Sequence, residues 1–225
     1  PNSLMWSSPR WGGFAMDAGY SFNPTPAIGS LEADLAATAA TATRKGRAWM
    51  LNPTYSGSNW HIAYSYWSGK TDAAPTGLAA ADQRSDQIYG YYTWGGFKLG
   101  ALWNKSRLNQ AATGALGAAG TKISDRSAWS IPFRYTTGSH SFLAHYTKAR
   151  DDKATAVQDG AKMWTMMYAY SLSKRSKVSL AYSKINNDAA GAYNLFTNVS
   201  LGSAAAVAAP GEDVRLLSLG MLHSF

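Results

Sequence analysis

The side chains able to do chemistry are few, and nothing in their spacing brings them together. Four histidines, His61, His140, His145 and His223, stand singly, and the chain has no cysteine. No His-x-Glu-x-His run or cysteine pair offers the spacing of a metal site, so no metal is expected. A Ser, His and Asp set can be drawn from almost any serine-rich chain, and its presence in the composition carries no catalytic weight. The expectation is therefore no catalytic residue and no cofactor. What remains is charge. Twenty-one Lys and Arg against thirteen Asp and Glu give a formal charge of +8, which suits nucleic acid, acidic lipid or small anions as partners. The basic residues are scattered and form no basic helix, which makes nucleic acid the weakest of the three. Lys174, Arg175 and Lys177 do cluster, but at one turn, where a solvated role is the ordinary one.

The elements that would position these groups are short and alternating. Leu4 and Trp6 precede a turn at Pro9–Gly13, after which Phe14, Met16, Ala18, Tyr20 and Phe22 share one face and Asp17, Gly19 and Ser21 the other. The unit recurs. Trp49, Leu51, Pro53 and Tyr55 run to Gly57-Ser58-Asn59, and Trp60, Ile62, Tyr64 and Tyr66 run away from it. Ile88 to Trp94 meets Gly95-Gly96, followed by Phe97, Leu99, Ala101 and Trp103. Trp129 to Tyr135 and Phe142 to Tyr146 flank Thr137-Gly138-Ser139, while Trp164 to Leu172 and Val178 to Tyr182 flank Ser173–Ser176. The last strand alternates Leu217, Leu219, Met221, His223 and Phe225 against Ser218, Gly220 and Ser224.

Tight turns alternate strictly with long connections at about 23–44, 68–83, 105–125 and 186–211. A short helix is conceivable over Ser30 to Ala40. Short turns on one side and long loops on the other are the rhythm of a transmembrane β-barrel, and the rings at both ends of many apolar faces fit its aromatic girdles. No run approaches the ~20 apolar residues of a membrane helix, so any crossing is made by strands. The fold class expected is all-β, a transmembrane antiparallel barrel over residues 1–225 with no second domain.

Three segments, in the right order, resemble the general porins of Gram-negative bacteria, particularly the betaproteobacterial type. They are Asn2-Ser3-Leu4-Met5-Trp6-Ser7-Ser8-Pro9-Arg10-Trp11-Gly12-Gly13-Phe14, Tyr170-Ser171-Leu172-Ser173-Lys174-Arg175-Ser176 and Gly220-Met221-Leu222-His223-Ser224-Phe225. Trp6, Trp11, Ser176 and Leu222 depart mildly from the family pattern. The resemblance implies a sixteen-stranded barrel of which the eleven strands read here correspond to strands six to sixteen, a truncated barrel, since single-chain bacterial barrels have even counts. It implies an outer-membrane channel for passive diffusion of small hydrophilic solutes, a homotrimer, contact with outer-membrane lipid and lipopolysaccharide, and a terminal Phe225 read by the outer-membrane assembly machinery. The arginines that commonly line the family's constriction fall mainly outside the matched part.

If the apolar faces meet lipid, the opposite parity lines the pore. Its candidates include Asp17, His61, Lys98, Arg134 and His145, with Ser21, Asn52, Ser65, Tyr89, Tyr91, Thr93, Asn104, Ser130, Thr165, Ser179 and Ser183. Excess positive charge there favours inorganic anions. The bland reading of Lys98 and Arg134 is solvation of the rim, since both lie near short turns. Charges on the long-loop side, among them Lys105, Arg107, Lys122, Arg126 and Lys148, would hydrate the outer surface or meet lipopolysaccharide phosphates. Two other function classes stay open: a soluble β-rich binding module, which would bury Trp49, Tyr55, Trp129 and Tyr135 in a sandwich, and an outer-membrane barrel hydrolase.

Overall fold

The structure, a computed structural model, describes residues 3–21, 46–71, 81–110, 118–195 and 208–224. Eleven strands account for most of them: β1 (Ser3–Ser7), β2 (Phe14–Ser21), β3 (Gly46–Ser56), β4 (Trp60–Thr71), β5 (Ala81–Trp94), β6 (Phe97–Gln110), β7 (Lys122–Thr137), β8 (His140–Ala149), β9 (Ala161–Ser171), β10 (Ser176–Asn187) and β11 (Val214–His223). Each neighbours the next in sequence, so the order along the sheet is the order along the chain. Such a meander follows from tight turns, which can join only antiparallel neighbours. The expected Ser30–Ala40 helix and most of the first long connection lie outside the described residues.

Two compact units divide the chain. One comprises Pro1–Tyr89 with Asn104–Arg126, the other Gly90–Trp103 with Ser127–Phe225. In the first, Trp6 faces Ala18, Tyr20 faces Trp49, and Leu51 faces Tyr66. The pairing of β3 with β4 passes over Asn52 and Pro53, as a residue without an N–H requires. On the opposite face Met5, Gly19, Met50 and Trp67 align across four strands. A Cβ on Gly19 would stand 2.6 Å from Met5 Sδ and 3.0 Å from Met50 Cγ, so the bare glycine lets the two thioethers close over it.

In the second unit, β7 to β11 keep unbroken registers. The β5–β6 turn shows why two glycines are needed. Gly95 has φ 53°, the left-handed conformation of a tight hairpin turn. At Gly96 a Cβ would run into the Thr136 carbonyl, because the Thr136 N–H donates to the Gly96 carbonyl at 2.8 Å.

Neither unit has a core of large side chains. Among the described residues the buried hydrophobics are Ala48, Ala63, Ala161, Ala169, Ile185 and Ala208. Trp, Tyr and Leu instead populate the exposed set, which a water-soluble fold could not sustain.

One expectation needs correction. Several strands run further toward the long connections than the apolar alternation indicates: β4 reaches Thr71, β5 starts at Ala81, β6 reaches Gln110 and β7 starts at Lys122. Lys105, Arg107, Lys122, Arg126 and Lys148 therefore sit on strands rather than in loops. The reason is physical. Backbone pairing continues where side chains turn polar, and polarity hides the period of two.

Candidate functional site

Each sheet face can be followed row by row. In the second unit, Tyr135, Phe142, Tyr168, Leu180 and Leu219 align across five strands, and Phe133, Ala144, Met166, Tyr182 and Leu217 form the next row. Met166 is 59% exposed and Leu219 84%. Rings brace one another along this wall, with centroids 4.3 Å apart for Phe97 and Tyr135 and 4.5 Å for Tyr146 and Trp164. The first unit repeats the pattern with Trp49 on Tyr66 at 4.6 Å and Tyr55 on Trp60 at 5.2 Å. Trp49 and Tyr55 are exposed and Trp129 and Tyr135 half-buried, so the sandwich that would have buried all four is not what these residues form.

The other face carries the candidate site residues. Asp17 on β2 lies between Ser7 and Asn52. His61 opens β4 with Nδ1 2.9 Å from the Ser56 hydroxyl and its ring 5.9 Å from Tyr89. Lys98 places its Nζ 3.4 Å over the Tyr91 ring, a cation–π contact that lays the chain along the wall. Arg134 is exposed on β7 opposite Leu143. His145 has Nε2 3.0 Å from the Ser130 hydroxyl and 3.2 Å from that of Thr147. Across the register from His145, Thr165 meets the Ser183 hydroxyl at 3.0 Å, so imidazole and hydroxyls make one polar row. Phe225 lies outside the described residues. Among the described residues no three His, Cys, Asp or Glu side chains gather as a metal cluster.

Two features of this face escaped the sequence reading. Leu143, Met163, Met167 and Leu216 share it in the second unit, so the face is mixed rather than uniformly polar. Arg126 and Lys177 also have its parity. Lys177 is no mere turn residue: it pairs with Ser171 on β9 and Leu222 on β11.

The sequence profile of Gram-negative porins matches residues 1–190. The chain belongs to the Gram-negative porin family. Among solved structures this porin is similar to a porin refined at 1.8 Å resolution, with 14% identity and a TM-score of 0.63 over 99% of this chain and 61% of that one. It is also similar to OmpT, an outer membrane protein of Vibrio cholerae folded in vitro, with 12% identity and a TM-score of 0.59 over 82% of this chain and 53% of that one. The loop L8 deletion mutant of the same Vibrio cholerae protein gives 13% identity and a TM-score of 0.56 over 83% and 57%. The chain thus spans between about half and three-fifths of the length of these structures. A comparison with curated proteins found no match. The fold is the antiparallel meander of a porin barrel, of which this chain supplies eleven strands in an order that does not close on itself, and its place is the bacterial outer membrane.

A membrane setting explains the polar ends of the long strands. A crossing strand needs about 9–11 residues, and β7 has 16, so its first residues stand beyond the hydrocarbon. There Asp125 lies 3.3 Å from Lys105 Nζ and 3.5 Å from Lys122 Nζ. Burial pushes the Asp125 carboxyl up, but the ammonium groups of Lys105 and Lys122 beside it outweigh burial and hold it below the usual range. Lys70 and Asp82 pair likewise at 3.2 Å.

Proposed function

We propose that this porin forms a water-filled channel through which small hydrophilic solutes diffuse passively, with inorganic anions favoured over cations. The observation that carries the reading is the charge on the face opposite the aromatic wall. On the strands that parity presents Lys98, Arg134 and Lys177 against the carboxylate of Asp17. A hydrated lumen with that excess lowers the electrostatic barrier for anions and raises it for cations. Lys98, held over Tyr91 at 3.4 Å, supports the role, since a cation pinned to the wall adds its field without obstructing the path. The His145, Thr165 and Ser183 row offers groups that replace part of a solute's hydration.

The mechanism is exclusion by width and field. No catalytic step, energy source or cofactor enters it. The apolar wall meets membrane lipid, with lipopolysaccharide on the long-loop side. Part of that wall serves packing into a homotrimer, and Phe225 is presented to the assembly machinery. Reversal potentials of the whole protein in planar bilayers across a potassium chloride gradient test the ion preference. The expected potential has the sign of chloride permeation and shrinks on Lys98→Glu with Arg134→Glu. A cation preference in the unmodified protein defeats the reading.

A further inference from the structure

In the first unit, the face opposite the aromatic wall carries sulfur and indole where a channel needs neither. Met5, Gly19, Met50 and Trp67 stand in one row across β1 to β4, and Ser3, Ser21, Ala48 and Gly69 form the next row on that face. Each row has a glycine where a neighbouring side chain lies down. Met5 Sδ and Met50 Cγ come within 2.6 and 3.0 Å of where a Gly19 Cβ would stand, and the Trp67 ring within 2.5 Å of the same point on Gly69. The two thioether side chains and the indole are thus folded onto the sheet, and with Ser3, Ser21 and Ala48 they line a pocket of about 110 Å³.

Packing alone does not account for these residue types. Leucine would fill the same volume, yet both side chains that close over Gly19 carry sulfur, and Met5 is 59% exposed rather than locked in a core. The acceptors around them are uncommitted. Ser21 Oγ, in the pocket lining, and Asn52 Oδ1 are buried without a hydrogen-bond partner among the described residues. Asn52 stands opposite Asp17 in the row on the other side of Met50, and Asp17 makes no ion pair among the described residues. Two residues along a strand span about 7 Å, so the Asp17 carboxylate lies one row from the thioethers. Sulfur lone pairs, an aromatic face and an uncompensated negative charge all favour a cation.

We propose that Met5, Met50 and Trp67 bind a soft monovalent metal ion of the copper(I) and silver(I) class. Thioethers are neutral, polarisable donors that select such ions, whereas magnesium and calcium seek oxygen and zinc is served as well by imidazole. The indole face adds a cation–π attraction, for which tryptophan is the strongest ring. Asp17 supplies the balancing charge from the adjacent row. A planar organic solute would use the ring but would have no need of two sulfurs, which is why a metal ion is the occupant. The inference goes beyond the channel reading and takes from it only that this face is open to water.

The test titrates the whole protein, in neutral detergent micelles and chloride-free buffer, with silver nitrate. Silver(I) is used because it needs no reductant. Bound metal is read by equilibrium dialysis and elemental analysis, and the indole contact by quenching of tryptophan fluorescence. One silver ion per chain should bind most tightly and survive excess potassium and zinc. Changes to groups that merely orient metal ligands cost about 10–100-fold in affinity, so Met5→Leu with Met50→Leu, which removes two ligands, should cost at least tenfold. Met163→Leu with Met167→Leu, in the second unit, should leave the affinity unchanged. Trp67→Phe should abolish the quenching that accompanies the first ion. Without silver, the Met5 and Met50 double variant should melt close to the unmodified protein, because leucine keeps the volume of methionine, and this separates lost binding from lost folding. Silver bound equally by that variant, silver displaced by zinc, or no silver retained at all overturns the proposal. Failure of the channel reading would appear in the reversal potentials and leave this titration as it is, so the two are separable.

Discussion

Met166 and Met167 are adjacent on β9, chemically identical and on opposite faces, so replacing each with arginine isolates what each face touches. Met166 is 59% exposed and stands midway along the wall, four residues from Tyr170 at the turn end and four from Lys162 at the other. Four residues rise about 14 Å along a strand. At a barrel tilt of about 40° that is about 10 Å along the membrane normal, so Met166 lies near the centre of an apolar band about 25 Å tall. An arginine there costs about 2–4 kcal/mol. Met167 points to the mixed polar face, opposite Leu143 and Ala181, where a guanidinium can reach water; the cost is lost packing, under about 1 kcal/mol. Equilibrium urea unfolding of the whole protein in phosphatidylcholine vesicles, followed by tryptophan fluorescence, measures both. Met167→Arg costing as much as Met166→Arg would refute the assignment of faces.

Other perturbations follow from single contacts. Gly96→Ala should destabilise by about 1–3 kcal/mol, because its methyl meets the Thr136 backbone carbonyl, which cannot swing aside; thermal melting reads it, and an unchanged midpoint would argue against the close approach. The Asp125 carboxyl titrates below its ordinary value in the folded protein. Its stabilisation is therefore complete above about pH 5 and lost as pH falls through about 4 toward the lower folded value. The stability difference between the unmodified protein and Asp125→Asn should stay constant above that window and shrink below it; a difference that grows on acidification contradicts the Lys105 and Lys122 pairing. Tyr91→Leu removes the ring beneath Lys98 and should weaken anion preference less than Lys98→Met does, measured as reversal potential. Deleting Phe225 should lower outer-membrane assembly in cells, read by heat-modifiable mobility, while the conductance of assembled channels stays unchanged.

The faces of the strands were legible in the sequence because a bilayer demands a strict period of two and nothing else supplies so many exposed rings. Turn positions were legible for a similar reason: Gly95-Gly96 and Thr137-Gly138-Ser139 have the chemistry that tight hairpins need. The outward extent of the strands was not. Asp82, Arg84 and Asp86 alternate with Gln83, Ser85 and Gln87, and polar residues on both faces erase the signal although pairing persists. The apolar members of the inner face were missed because a reading by polarity selects polar residues; Leu143 and Met167 become visible only through their register with Arg134 and Ala181. The alignment of Met5 and Met50 on either side of Gly19 was equally hidden, since it depends on register across a long connection, and periodicity within one strand says nothing about its partner.

The central claim is that one face of this sheet meets lipid and the other a water-filled lumen. The chain has no native cysteine, so single cysteines placed in turn from Met163 to Tyr168 in the membrane-inserted protein can be challenged with a hydrophilic maleimide too polar to enter the bilayer. The account predicts alternation, with Cys at 163, 165 and 167 labelled and Cys at 164, 166 and 168 protected. Uniform labelling, or the opposite alternation, would contradict it.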